Sequence, residues 1–218
     1  MKLIKPSYEI ISKIDTDYLL QLIEEAGRTC YKSEDKITPT SAKDFIRMIL
    51  GRHHESVIEH GGMTVRFIVD RGVSHELVRH RLASFSQEST RYCNYSKDKF
   101  DNQITFIMPE WLDFDGWDGK IMVPSEEPMQ VWLRSMDMAE KYYNKLIANG
   151  WVPQQARSVL PNSLKTEIVV TANFREWRTI FKQRCSSAAH PQMREVMIPL
   201  LVEVKELVPV IFDDITID

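Results

Sequence analysis

At 218 residues the chain is long enough to bury a core and short enough to fold as one domain spanning 1–218. Its 28 basic and 31 acidic residues nearly cancel, to −3, which argues against a general partner for nucleic acid polymers and requires any polyanion site to be a local concentration of charge. No apolar run approaches the ~18 residues of a membrane span, the opening Met1-Lys2-Leu3-Ile4-Lys5-Pro6 is too short and polar for a signal peptide, and three widely spaced cysteines (Cys30, Cys93 and Cys185) without a CxxC pair point to a reduced, cytoplasmic setting.

Residues 2–11 read as a short strand interrupted by Pro6. Asp15 or Asp17 caps a helix running to about Tyr31, with Leu19, Leu20, Ile23 and Ala26 on one face. Ser41 caps a second helix, through Phe45, Met48 and Ile49 to Gly51. Met63, Val65, Phe67 and Val69 alternate with polar or small residues, which predicts a strand over 62–70. Ser74 opens a helix carrying Glu76, Arg79 and His80, and the stretch after it, poor in apolar periodicity, reads as a loop. Residues 98–124, with Pro109, Gly116, Gly119 and Pro124, read as a meandering surface segment with one strand at 104–108, and 109–127 holds six acids against one lysine. A long helix over about 127–149 ends at Gly150. Alternation returns over 165–175, at Ile168, Val170 and Ala172, and helices follow over 176–184 and 192–206. Strands and helices do not alternate regularly, and the eight glycines form neither a GxGxxG turn nor a Walker loop. The order predicts a single-domain, non-Rossmann α+β fold, a mixed, largely antiparallel sheet packed with helices.

Positive charge concentrates over 71–92, where Arg71, Arg79, Arg81 and Arg91 face only Glu76 and Glu88. The fourteen residues Arg79–Tyr92 also hold His80, Gln87 and the hydroxyls of Ser84, Ser86 and Ser89. Hydroxyls and loop N–H groups suit phosphate oxygens, and arginine adds charge and a bidentate fork. On a helix Arg79 and Arg81 point about 200° apart, so either the helix ends near His80 or the two serve different sites, an arrangement that sites shared between subunits accommodate. Ser89 is the one candidate side-chain nucleophile in the stretch, with no base placed for it. Upstream, His53-His54-Glu55-Ser56-Val57-Ile58-Glu59-His60 fails the His-Glu-x-x-His spacing of zinc proteases, because His54 and His60 are six apart. A metal-dependent hydrolase built on His53, His54, His60 and His80 and a non-catalytic nucleotide binder stand as competing readings. Cys185 lies beside Arg184, a setting that can lower a thiol pKa.

The pattern Arg79-His80-Arg81, seven residues, then Ser89 resembles the signature of the flavin-dependent thymidylate synthases, and further matches run from about residue 54 to residue 195. The resemblance implies reductive methylation of dUMP to dTMP, with FAD as cofactor, NADPH as reductant and methylenetetrahydrofolate as carbon donor, in a homotetramer whose sites are shared between chains. It assigns the flavin to His54, Ser56, Arg79, His80, Arg81, Gln87, Asn173, Arg175 and Thr179. It assigns dUMP to Glu76, Arg79, Gln87, Glu88, Ser89, Thr90, Arg91, Arg157 and Arg184, with Arg184 against the pyrimidine and Ser89 in the catalytic set; no residue is assigned to a metal. Glu59 and His60 stabilise their loop, and His190 is structural. Some relatives carry glutamine where this chain has Glu76, glutamate where it has Gln87 and asparagine where it has Thr179. An acid at 76 beside a phosphate is tolerable only if it accepts from a hydroxyl or a neighbouring arginine.

Overall fold

Proline has no N–H to give to a ladder, and Pro6 divides the first predicted strand into β1 (Lys2–Ile4) and β2 (Ser7–Ile10), which join different sheets. The computed structural model describes residues 1–97, 102–115, 117–122 and 125–217; Gly116 and Pro124 of the predicted surface segment lie outside the described residues. β1 pairs in parallel with β5 (Thr105–Ile107), Leu3 opposite Phe106. The larger sheet has the order β2-β3-β6-β4, with β3 at Gly62–Asp70, β4 at Ser84–Gln87 and β6 at Lys165–Asn173. β2 runs antiparallel to β3, with Glu9 facing Arg66 and the Ile11 N–H donating to Thr64 O. β3 and β6 are antiparallel as well: the Thr64 and Thr171 hydroxyls meet at 3.0 Å. Gly62 lies so close to β6 that a Cβ there would stand 2.7 Å from the Ala172 carbonyl oxygen. The result is the expected mixed α+β arrangement, with β2, β3 and β6 of the larger sheet antiparallel.

Helix α1 (Thr16–Tyr31) starts where Asp15 accepts the Tyr18 N–H at 3.1 Å. Helix α2 (Ala42–Gly51) starts after Ser41, as expected, yet the Ser41 hydroxyl does not cap it: it donates to Glu24 and accepts the Thr38 N–H, both at 2.8 Å. Helix α3 is Arg71–Leu77, which corrects two expectations. It opens before Ser74, because Asp70 accepts the Val73 N–H at 2.8 Å, and it stops at Leu77, so it carries Glu76 but neither Arg79 nor His80. The stretch expected to be a loop contains β4. Its one apolar residue, Phe85, gives too little alternation to read as a strand, and β4 forms as the edge of a sheet whose neighbour β6 supplies the pairing. Helices α4 (Pro128–Ala148), α5 (Pro153–Ala156), α6 (Phe174–Arg184) and α7 (Pro191–Leu207) complete the fold. No described helix is long and apolar enough to cross a membrane.

The chain packs as two compact units, each discontinuous in sequence. The first comprises Met1–Ser7, Ile68–Leu77 and Gln87–Ile168. Its core gathers Tyr95, Phe106, Met136, Tyr143 and Leu164, of which the phenylalanine, methionine and leucine are each worth about 1.5–3 kcal/mol when fully buried. Glu140 of α4 accepts both the amino terminus, at 2.7 Å, and the Ile104 N–H, at 2.6 Å, which anchors the approach to β5. The second unit comprises Tyr8–Phe67, Val78–Ser86 and Val169–Asp218. Its centre is aromatic: Phe67, Trp177, Phe181, Phe212 and Phe174 form pairs with ring centroids 5.5 to 6.5 Å apart, and the buried indole N–H of Trp177 donates to Met63 O at 3.1 Å.

Candidate active site

In the first unit, the end of β4 and the loop after it meet the start of β6. Gln87 Nε2 donates to the hydroxyls of Ser74, at 2.8 Å, and Thr166, at 3.3 Å. Arg71 reaches Thr166 Oγ1 and the Glu88 carbonyl, both at 3.4 Å. The Glu88 carboxylate is fully engaged: Tyr95 OH donates to one oxygen at 3.0 Å and Lys165 Nζ to the other, also at 3.0 Å. Burial and then the neighbouring Glu88 push the Tyr95 phenol well above its ordinary range. Burial alone lowers the Lys165 amine, but hydrogen bonds to Glu167 and Glu88 outweigh it and the net shift is upward. Lys165 is therefore a cation and Tyr95 a neutral donor, and the two hold the Glu88 side chain by its separate oxygens. Thr90 is buried and accepts from Arg157 at 3.1 Å. Ser89 Oγ accepts the Arg91 N–H at 3.3 Å; among the described residues no histidine or carboxylate is hydrogen-bonded to it. Arg91 is exposed, its guanidinium 5.5 Å from the centroid of the Tyr92 ring.

In the second unit, α6 carries the other cluster. Asn173 caps it, accepting the Glu176 N–H at 2.9 Å. Arg175 pairs with Glu59 at 2.6 Å, and the Thr179 hydroxyl turns back onto the Arg175 carbonyl at 3.3 Å. At the far end of α6, Arg184 Nε donates to His80 Nε2 at 3.0 Å, while His80 Nδ1 faces Glu176 Oε1 at 3.4 Å. Burial and then the Arg184 charge bring the His80 pKa down to about 4, so this imidazole is neutral at pH 7. His54 is exposed at the surface, its Nδ1 2.5 Å from Tyr31 OH and its ring stacked on the tyrosine at 19°. Ser56, Arg79 and Arg81 are also exposed.

Of the two alternatives open for Arg79 and Arg81, the helix ends first: α3 stops at Leu77 and both arginines follow it. The Cys185 thiol is not activated: burial raises it to about 12 despite the nearby Arg194 and Lys205, and the neighbouring Arg184 turns to His80 instead. Native protein treated with a thiol-specific disulfide reagent is expected to label the exposed Cys30 quickly and Cys185 only after unfolding; rapid native labelling of Cys185, located by peptide mass mapping, contradicts this. Among the described residues no group of three or more His, Cys, Asp or Glu side chains is placed to hold a metal ion.

Of the expected dUMP set, Glu76, Gln87, Glu88, Ser89, Thr90, Arg91 and Arg157 belong to the first unit, and Arg79 and Arg184 to the second. Of the flavin set, all but Gln87 belong to the second. Sequence reasoning placed Arg71 in the basic stretch without its role as a support of Glu88, and missed Tyr95 and Lys165, which hold the Glu88 carboxylate, and Tyr31, the partner of His54. It also missed Glu176. Asn173-x-x-Glu176 has the spacing of a helix start, and that ordinary role hid the carboxylate, which turns to His80 rather than back to the cap.

The sequence profile of the family described as thymidylate synthase complementing protein matches residues 14–210. The chain belongs to that family. Relatives of the chain include the flavin-dependent thymidylate synthases of Corynebacterium aurimucosum, 33% identical over 88% of this chain and 78% of the relative, and of Geobacter sulfurreducens, 33% identical over 87% and 78%. The solved structure of a UMP/dUMP methylase, PolB from Streptomyces cacaoi, bound with 5-Br dUMP, superposes with a TM-score of 0.76 at 24% identity, covering 98% of this chain and 96% of that one; the likeness is one of fold.

Proposed function

We propose that this member of the family is an FAD-dependent thymidylate synthase, converting dUMP to dTMP with methylenetetrahydrofolate as carbon donor and NADPH as reductant. The observation that carries the reading is the family match over residues 14–210, which contains the whole Arg79–Arg91 stretch and the Arg184 guanidinium held by a neutral His80. The donor chemistry fits the ligands. A pyrophosphate and a nucleotide phosphate call for guanidinium forks and hydroxyls where no Rossmann glycine turn exists, and Arg79, Arg81, Arg91, Arg157 and Ser89 are of that kind.

Bound FAD, reduced by NADPH, supplies the hydride that turns the transferred carbon into a methyl group. The chain's own part is to bind and polarise. Arg184, set against the pyrimidine, lowers the pKa of the ring N–H and so favours charge at carbon 5. Arg91, Arg157, Ser89 and Thr90 hold the phosphate and sugar, with Glu76, Gln87 and Glu88 shaping the loop; Arg79 serves both ligands. Glu88 holds the loop from both sides, its carboxylate between Tyr95 and Lys165 and its N–H given to the Glu167 carbonyl at 2.8 Å. His80 has both nitrogens facing protein groups, Arg184 and Glu176, so its share in the flavin site passes through its ring carbons. His54, Ser56, Arg81, Gln87, Asn173, Arg175 and Thr179 complete the flavin set. We assign residues 1–218 to one functional domain, the enzyme to the cytoplasm, and the assembly to a homotetramer of roughly 100 kDa, four copies of a 25.5 kDa chain, with sites shared between subunits.

Flavin uptake tests the reading. Purified chain titrated with FAD is expected to bind it at about micromolar concentration or tighter, followed by flavin fluorescence; no uptake in that range removes the proposal, and dUMP binding without flavin would leave the non-catalytic nucleotide binder in its place. Ser89 is a binding group in this scheme, since its hydroxyl is held by the Arg91 N–H and meets no base. Ser89→Ala is expected to reduce turnover without abolishing it, and a covalent nucleotide on Ser89 in the native protein, detected by mass spectrometry, would reverse that assignment.

A further inference from the structure

The buried end of α6 contains a second ionisable group for which the proposed function has no use so far. Glu176 lies in the first turn of α6 and is 7% exposed; His80 is 5% exposed; Arg184 is in the last turn. Arginine Nε always carries its proton and only donates. At 3.0 Å from it, His80 Nε2 has to be the acceptor, which places the single ring proton on Nδ1, and the group facing Nδ1 is the Glu176 carboxyl at 3.4 Å. A proton moved to Nε2 would set two N–H groups against each other. A neutral histidine chooses its tautomer by what its nitrogens meet, and the two groups that face His80 are Arg184 on Nε2 and Glu176 on Nδ1.

We infer that Glu176 is a positioning residue, holding the Nδ1 proton of His80 so that Nε2 stays free to accept from Arg184 and orient its guanidinium toward the pyrimidine. The inference rests on the reading of Arg184 given above. Burial raises the Glu176 carboxyl above its usual range and lowers the His80 imidazole, both of which oppose the formation of an imidazolium here. An imidazolium would offer Arg184 a second donor and turn the guanidinium away. The arrangement resembles the way a ligand-bearing histidine is set by a partner on its other nitrogen, with an arginine in place of the metal.

The test uses the purified full chain. Long-range proton–nitrogen correlation spectra of the six histidines, with His80 assigned from its loss in His80→Asn, are expected to show His80 at pH 7 as a neutral ring protonated on Nδ1. Glu176→Gln keeps an acceptor and is expected to keep both that tautomer and the dUMP affinity. Glu176→Met, matched in length but without an acceptor, is expected to lose the single tautomer and to raise the dUMP Kd about tenfold, the scale of one lost hydrogen bond, with an unchanged circular dichroism spectrum. On an Arg184→Ala background the same change is expected to add nothing. An Nε2-protonated or doubly protonated His80 in the native protein, a Met variant with native dUMP affinity, or additive losses would each overturn the inference. Should Glu176→Met not fold, Glu176→Asp, which withdraws the carboxylate by one methylene, takes its place with the same expectations. If Arg184→Ala alone leaves dUMP binding untouched, the reading of Arg184 fails, and the tautomer in the Glu176 variant still decides whether Glu176 sets His80.

Discussion

Arg184→Ala is expected to weaken dUMP binding by about 1.5–3 kcal/mol, the range of a hydrogen bond to a charged group, or about 10- to 150-fold in Kd, and to cut turnover at least as much. Flavin uptake is expected to be largely retained, because the guanidinium is assigned to the pyrimidine and the flavin is assigned to other residues. The geometry explains why the effect is specific to arginine. Its Nε is given to His80 at 3.0 Å, and the guanidinium carries further N–H groups on two other nitrogens in a fixed plane. Arg184→Lys keeps the charge but has a single nitrogen, so it is expected to restore little. Calorimetric titration of dUMP into the variants measures this, and an unchanged affinity would make Arg184 a structural partner of His80 and nothing more.

Arg178→Leu is expected to cost about 2 kcal/mol of stability, the scale of a buried carbonyl left without its charged donor; Asp214, with 58% side-chain exposure, meets solvent instead. Arg178 side-chain exposure is 3%, and it donates to both Asp214 oxygens at 2.6 and 2.7 Å, to the buried Ile211 carbonyl, and to Glu55 at 3.3 Å. Its loss strands a buried carbonyl and releases the carboxy-terminal segment from α6. Arg175, three residues earlier on the same helix, makes a pair of equal length with Glu59, 2.6 Å, but with 51% side-chain exposure. Solvent screens that pair, so Arg175→Leu is expected to cost under about 1 kcal/mol. Urea unfolding of the two variants separates burial from pair geometry; equal losses would show that burial is not what matters. The acid limb carries a further sign. The Arg178 hydrogen bonds, outweighing burial, hold the Asp214 carboxyl below its ordinary range. A depressed carboxylate contributes stability above its unfolded pKa and loses it as pH falls through the folded value, so Arg178→Leu is expected to flatten the stability profile below about pH 4.

Much of this was legible in the chain. Asp15 announces the start of α1, and the alternation of Val65, Phe67 and Val69 announces β3; α6 starts at Phe174, before the expected 176, because Asn173 caps it. What failed was local. The start of α3 is fixed by Asp70, the last residue of a strand, which a reading that looked for the first serine passed over. β4 has one apolar residue, and its pairing comes from β6, about eighty residues away, so no periodicity within the segment signals it. The site followed the same division. Charged and hydroxyl residues clustered in sequence, Arg79 to Arg91, were read directly. The groups that set their state were not: Lys165 and Tyr95 lie far from Glu88 in sequence or beyond a turn, and Glu176 carries the spacing of an ordinary helix start. A carboxylate that neutralises a lysine, or that fixes a histidine tautomer, has no sequence signature of its own, because the partner is supplied by tertiary packing.

The electron balance of the reaction gives the most direct test of the whole account. A methylene group at the oxidation level of formaldehyde becomes a methyl group only by gaining two electrons. If NADPH supplies them through FAD, the folate leaves as tetrahydrofolate. Purified chain given FAD, dUMP, methylenetetrahydrofolate and NADPH is therefore expected to form dTMP with one NADPH oxidised and one tetrahydrofolate released per turnover, and none when FAD or NADPH is withheld. Formation of dTMP with dihydrofolate as the folate product, or at an undiminished rate without flavin, would contradict it.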